Sequence, residues 1–261
     1  MYLTTMIYLD TETTGLTERD RLCQIAFLVE TLEDGDKQIV ETLCKPIVPV
    51  SKEASLINGI TNTMLEKELP FAETEVYKLL LTLNKANNIL VAHNAPFDLE
   101  MLRREGIEWK GKVIDSLSCS RKLYNDDHTI SSNSLQNLRV SLALSDIENN
   151  LAAAFNTRVK AHSALGDVIS LYALMQHLKK HKALKTLDNV NVEETLVSLS
   201  ANKNVQMEFI RFGKYNGKTF KTVAKEDPAY LEWIISCETM EASIRHSAAV
   251  VLDDRTSPLK V

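Results

Sequence analysis

The sequence predicts an α/β protein built on a mixed five-stranded sheet flanked by helices. Three observations carry this. Apolar runs of β type crowd the first 46 residues. Short apolar runs then alternate with segments of helical period. Within Ser163–Lys180, Leu165, Val168, Ile169, Leu171, Tyr172, Leu174, Met175 and Leu178 recur at helical spacing. Strands first, then strands alternating with helices, call for helices layered over a sheet with both parallel and antiparallel neighbours.

Met6–Leu9 reads as a buried strand ending at the acidic pair that follows it, and Leu22–Leu32 and Gln38–Pro46 continue a meander. Phe71–Ala86 reads as helix and Asn88–Ala92 as a short buried strand. Pro96–Glu105 reads as a helix with proline in its first turn, where the missing N–H costs nothing. Val113–Asp115 reads as a strand, and Ser116–Leu123 and Ser134–Leu142 as helices. His181–Met207 shows little apolar period and reads as a connector. The expected organisation is a domain over 1–181, a linker over 182–206, a small α+β module over 207–253 and a tail over 254–261.

The hydrophobic fraction is 44% and the charged fraction 25%, ordinary for a globular protein. No stretch approaches the ~18 apolar residues of a membrane span, so no membrane is expected, and the N-terminus reads as lacking a signal peptide. Cys23, Cys44, Cys119 and Cys237 form no CxxC pair. That argues against zinc and disulfide frameworks and fits a reducing cytoplasm. The formal charge of −5 opposes non-specific nucleic-acid binding, but a carboxylate cluster neutralised by metal would remove that objection.

The chemistry gathers at element ends. Asp10-Thr11-Glu12-Thr13-Thr14-Gly15 follows the first strand. Side chains alternate along a strand, so Asp10 and Glu12 point the same way, and keeping both ionised calls for a cation. Gly15 lets the chain turn away. Asp98 falls in the first turn of a helix, and His162 and Asp167 flank the start of the long one. Four carboxylates and a histidine around one cleft suit two-metal phosphodiester hydrolysis. Hard cations such as Mg²⁺ or Mn²⁺ take oxygen ligands, and a histidine can take a proton from water near neutral pH. Taken singly, each residue has a plain structural use; Asp98, for example, could simply complement a helix dipole. His93 reads as a holder of its loop, Asp115 as structural, and 124–128 as a solvated loop.

Asp10-x-Glu12-Thr13-Thr14-Gly15, His93-Asn94-x-x-Phe97-Asp98 and His162-x4-Asp167 stand in the order of three known motifs. On these the chain resembles the DEDDh 3′→5′ exonuclease family, with its exonuclease X-like and polymerase III epsilon-like members, over about residues 5–180. The resemblance implies an RNase H-like fold and release of nucleoside 5′-monophosphates from DNA with a free 3′ end. It implies that Asp10, Glu12 and Asp167 hold one divalent ion, that Asp10 with Asp98 holds a second, and that His162 is the general base. It further implies contact of the backbone around Thr13 and Thr14 with the terminal nucleotide, a wedge at Leu16, and a site shaped by Asn94 and Phe97. Glu53 and Asn58 match a segment beside that nucleotide; epsilon-like members carry His at the position of Asn58.

Phe209–Lys225 holds Arg211, Lys214, Lys218, Lys221 and Lys225 and no acidic residue, with four aromatics interleaved. Together with Asp227-Pro228-x-Tyr230-Leu231-x-Trp233 it resembles the C-terminal module of exonuclease X-like proteins. Arg211, Lys214 and Lys218 are its candidate nucleic-acid contacts, although a module of this size needs most of its apolar groups inside. The reading is thus a DNA exonuclease of repair or processing. The alternatives are an RNA 3′-trimming enzyme and a polymerase-associated subunit; a homodimer stays open.

Overall fold

The computed structural model of the chain describes residues 4–124, 129–185, 191–201, 207–210, 212–237, 239–240 and 242–256. The readings made for Arg211, for 125–128 and for the tail from 257 lie outside the described residues. In chain order the elements are β1 (Thr5–Thr13), β2 (Leu22–Thr31), β3 (Lys37–Leu43), α1 (Lys52–Asn58), α2 (Asn62–Leu65), α3 (Glu75–Leu83), β4 (Ile89–Ala92), α4 (Ala95–Arg104), β5 (Lys112–Asp115), α5 (Ser116–Leu123), α6 (Leu135–Ser141), α7 (Ser145–Ala154), α8 (Ala164–Leu178), α9 (Lys182–Lys185), α10 (Val192–Ala201), α11 (Phe220–Glu226), α12 (Pro228–Ser236) and α13 (Ala242–Thr256). They divide into two compact units, Met1–Ser116 with Leu142–Leu178, and Leu117–Ser141 with Lys179–Val261.

The first unit is the expected mixed sheet, ordered β3-β2-β1-β4-β5. β1, β2 and β3 pair antiparallel, and β4 and β5 join parallel. β1 runs past Leu9 to Thr13, so Asp10 and Glu12 stand on the strand opposite Ala26 and Gln24 rather than beyond its end. The β-branched Thr11 and Thr13 between and after them favour that extension. The register slips after Glu12, which turns the chain at the following loop.

Alternation along β1 sorts its two faces. Ile7 and Leu9 pack with Ile25, Phe27, Leu90, Leu80 and Leu102 beneath α3 and α4. Each such buried chain contributes of order 1.5–3 kcal/mol. The other face carries Tyr8, Asp10 and Glu12. Tyr8 meets the Tyr172 ring of α8 edge-on at 5.2 Å, and α8 lies across β1 and β2. The Tyr8 hydroxyl donates to buried Glu30 (2.7 Å), which Lys37 also approaches at 3.2 Å. β4 pairs with β1 only along Met6–Tyr8. The rest of that edge of β1 is left to the N-terminal end of α4, and this gap becomes the site.

In the second unit, α11, α12 and α13 pack around Ile210, Phe220, Val223, Leu231, Ile234 and Ala248. Thr219 and Asp227 cap α11 and α12, and Pro228 opens α12. The β content of the module among the described residues is a single bridge, Phe209–Thr219. The stretch read as a connector carries α9 and α10. Leu196 of α10 is buried, and Glu193 pairs with Lys179 at 2.9 Å. Among the described residues no helix is long and apolar enough to cross a membrane.

Candidate active site

Asp10 and Glu12 reach the α8 side of the sheet because they lie two residues apart on β1. Asp167 meets them from the first turn of α8. Ser163 starts that helix: its hydroxyl accepts from the Gly166 N–H (3.3 Å) and its carbonyl from the Asp167 N–H (2.9 Å). Gln24, opposite Glu12, accepts from the Ala164 N–H (3.4 Å) and ties the helix start to β2. Gly166 leaves room for the backbone of Lys160, which a β-carbon would strike. Asp10, Glu12 and Asp167 each present an oxygen within 4.8 Å of the others.

Asp98 and His162 lie outside that group of three. Asp98 is buried in the first turn of α4, where its Oδ1 accepts from the Thr11 hydroxyl at 2.7 Å. Thr11 points to the face opposite Asp10, so one strand grips two carboxylates directly and a third through its intervening residue. Thr11 was not singled out in the sequence; its place between two acidic residues is the signal that could have found it. His162 sits on an exposed turn five residues before Asp167, with a left-handed φ of 57°.

The carboxylates crowd one another. Burial pushes the Asp10 carboxyl well above its ordinary range, and the charges of Asp98, Asp167 and Glu12 push further. Burial and then the Asp167 charge raise Glu12 to about 7 against an opposing bond from Asn58. Burial raises Asp98 to about 7 despite the hydrogen bond from Thr11. Neighbouring anions that resist ionising, all with oxygen donors, fit a hard divalent cation.

A cleft of about 330 Å³ opens beside Glu12. Its walls include Thr13, Leu16, Ile57, Asn58 and Phe97, with Glu53 at the same opening. Leu16 is 85% and Ile57 62% exposed, so apolar surface faces the opening. Asn58 ends α1 ahead of Gly59, whose φ of 76° turns the chain, and its Nδ2 donates to the Thr13 carbonyl (3.3 Å). Thr14 is not among the cleft residues. It is buried, its N–H donates to the Arg21 carbonyl, its carbonyl accepts from Ser51, and its hydroxyl donates to Asp20. Asn94 also stands outside the cleft, at a φ of 74°. Its N–H donates to Asp115 (2.9 Å), as does that of Ala95 (3.3 Å), so Asp115 caps α4 from the end of β5. His93 hydrogen-bonds Ser116 (2.9 Å) and so holds its own loop.

This fold and this carboxylate cluster place a candidate cation site at one end of the sheet. A family model described as Exonuclease matches residues 7–175, and the chain belongs to that family. A second, described as Exodeoxyribonuclease X-like C-terminal, matches residues 210–236. Exodeoxyribonuclease 10 of Escherichia coli strain K12 is 26% identical over 251 residues, covering 91% of this chain and 94% of that protein. The PolC-type DNA polymerase III of Thermotoga petrophila is 38% identical over 128 residues, 46% of this chain, and the match spans 9% of the polymerase. A solved structure of exonuclease X in complex with 5′ overhanging duplex DNA shares the fold at 21% identity and a TM-score of 0.51, covering 76% of this chain and 100% of that one.

Proposed function

We propose that the chain is a divalent-metal-dependent 3′→5′ exodeoxyribonuclease releasing nucleoside 5′-monophosphates. One observation carries the reading: three carboxylates with oxygens within 4.8 Å of one another stand beside an open, partly apolar cleft of about 330 Å³. Asp10, Glu12 and Asp167 would hold one Mg²⁺ or Mn²⁺, and Asp10 with Asp98 a second. When bound, such ions supply charge stabilisation to the attacking and leaving oxygens.

The chain's own residues do the rest. His162 takes a proton from the attacking water, a task that suits an exposed imidazole outside the ligand set. The water oxygen bonds to phosphorus as the bond to the 3′ oxygen breaks, and that oxygen takes a proton from solvent, leaving a 3′ hydroxyl on the shortened strand. Leu16, Ile57 and Phe97 receive the terminal base, and Thr13 and Asn58 hold the floor beneath it. Thr14 holds the loop beside the terminal nucleotide and Asn94 shapes the site from the helix start.

DNA as substrate is supported by the whole-length likeness to an exodeoxyribonuclease. Reduced Cys23, Cys44, Cys119 and Cys237 fit a cytoplasmic setting. A polymerase-associated role is the second reading and rests on the PolC-type match. The C-terminal family match favours a free enzyme. Digestion of single-stranded DNA, duplexes with different ends and matched RNA, with and without EDTA, tests the proposal. Metal-dependent release of mononucleotides from the 3′ end of DNA is expected. Cleavage that survives EDTA, or that proceeds only on RNA, would sink it.

A further inference from the structure

The aromatics of the C-terminal module divide sharply. Phe209 and Phe220 are buried. Tyr215 and Tyr230 are half-buried, and Trp233 is 50% exposed. Phe212, Tyr215 and Tyr230 pack against the same core while keeping part of each ring open, and with Trp233 the two tyrosines make a row of rings that reaches the surface. Tyr215 meets Tyr230 edge-on at 5.0 Å, and Tyr230 meets Trp233 at 5.4 Å with the ring planes tilted by only 34°. Tyr230 and Trp233 lie one turn apart on α12, which holds them side by side.

Cations line this row. The Lys214 ammonium lies 4.8 Å from the Tyr215 ring centre and 5.3 Å from that of Tyr230, and Lys218 lies 5.5 Å from Tyr215. Gly213 makes the approach possible: its φ is 61°, and a β-carbon there would strike the Tyr230 hydroxyl. Lys214 and Lys218 pair with Asp227 (2.8 Å) and Glu226 (2.6 Å). The Lys218–Glu226 pair is exposed and weak, so a phosphate can replace that carboxylate; Asp227 stays in place as the cap of α12, and the Lys214 ammonium has further N–H donors for a phosphate. The adjoining stretch Phe209–Lys225 contains no acidic residue.

We infer that Trp233, Tyr230 and Tyr215, with Lys214 and Lys218, form a second binding site on this chain, a stacking platform for single-stranded DNA. Exposed π faces accept any base, and flanking ammonium groups accept the backbone, so the platform binds without sequence preference. The class of ligand rests on the exonuclease reading; the platform itself rests on the ring and cation geometry.

The test uses the full chain in EDTA, where no strand is cut, and fluorescence anisotropy of labelled oligo(dT) and of an abasic strand of equal length. Trp233→Ala is expected to weaken oligo(dT) binding by about tenfold, the loss of one stacked base, and to leave the abasic strand unaffected. Trp233→Leu, which keeps apolar bulk, is expected to behave alike and guards against a folding defect. Lys214→Gln is expected to reduce the salt dependence of binding by about one ion. Metal-dependent hydrolysis of the p-nitrophenyl ester of thymidine 5′-monophosphate is expected to be unchanged in all three. Oligo(dT) binding equal to wild type in both Trp233 variants would overturn the platform, as would equal losses on both strands. Absence of ester hydrolysis in the wild-type protein would count against the exonuclease reading and leave the binding result standing.

Discussion

The Thr11 hydroxyl donates to Asp98 Oδ1 at 2.7 Å across 87 residues of sequence. It couples β1 to α4 at the point where β4 has stopped pairing. It is also a force that holds the Asp98 carboxyl down against burial. Thr11→Val keeps the shape and removes the donor. A hydrogen bond to a charged group is worth about 1.5–3 kcal/mol, so the variant is expected to lose about tenfold or more in activity near pH 7. Because Asp98 then holds its proton to higher pH, part of that activity should return as pH rises. Thr11→Ser should keep wild-type behaviour. A pH–rate profile for Thr11→Val that is merely scaled down, with no shift, would show that the bond does not tune Asp98.

The three-carboxylate cluster sets activity against stability. Asp167 raises both Asp10 and Glu12. Asp167→Asn is expected to abolish nucleotide release, by at least about 10³-fold, as loss of a metal ligand should. The same change removes like-charge repulsion from the metal-free protein. Its melting temperature in EDTA should therefore rise above wild type by the equivalent of about 1–2 kcal/mol. Asp10→Ala should likewise be inactive and folded. A metal-free Asp167→Asn protein that melts below wild type would contradict the repulsion argument.

Stability should also depend on pH with a definite sign. Glu12 holds its proton to about 7 in the fold against an ordinary value of 4.5. Between those values the folded state binds more protons than the unfolded chain, so stability falls as pH rises through that window. The drop expected from Glu12, discounted for the solvent that reaches it, is about 1–3 kcal/mol. Asp10 and Asp98 add in the same direction. Mg²⁺ or Mn²⁺ should restore stability most at the alkaline end, where the carboxylates are charged and free to bind. Thermal melts from pH 4.5 to 7.5 in EDTA and in Mg²⁺ read both slopes; a metal-free melting temperature that climbs across this range would refute the assignment.

Much of this site was legible in the sequence because local rules placed it. Strand alternation predicted that Asp10 and Glu12 share a face, and the structure adds Asp167 to them. The sheet was legible too, since its strands are short apolar runs. Long-range partnerships were not. The place of Thr11 between two acidic residues marks the residue but does not name Asp98 as its partner, and nothing in Asp115 announces that it caps α4. α10 falls in the stretch read as a connector because that stretch carries little apolar period, and α12 is not assigned from the sequence although Asp227-Pro228 is a helix-start signal. β1 outran its apolar stretch because pairing with β2 continues through its polar end.

The loop that carries Leu16 is held from α4. Arg104 donates from Nη1 to the carbonyls of Thr17 (2.8 Å) and Asp20 (3.1 Å), while Glu100 fixes its Nε at 2.9 Å. Inside the loop, Asp20 accepts from the Thr14 and Thr17 hydroxyls and from the Thr17 N–H, each at 2.7 Å. Leu16 is therefore an exposed apolar side chain on a fixed frame, and fixing a binding group in advance spares entropy on binding. Arg104→Ala leaves every carboxylate and His162 in place. It is expected to raise KM for an oligonucleotide by about tenfold with kcat changed by less than about threefold, since the loss is of uniform binding. Hydrolysis of the small p-nitrophenyl ester, which has no base stack to wedge apart, should change less than that of the oligonucleotide. Arg104→Lys keeps the charge but loses the planar group that holds Glu100 through Nε while Nη1 reaches both carbonyls, and should rescue little. A fall in kcat on both substrates with KM unmoved would instead mean that Arg104 acts on the carboxylates through α4, and that the frame around Leu16 is incidental to substrate binding.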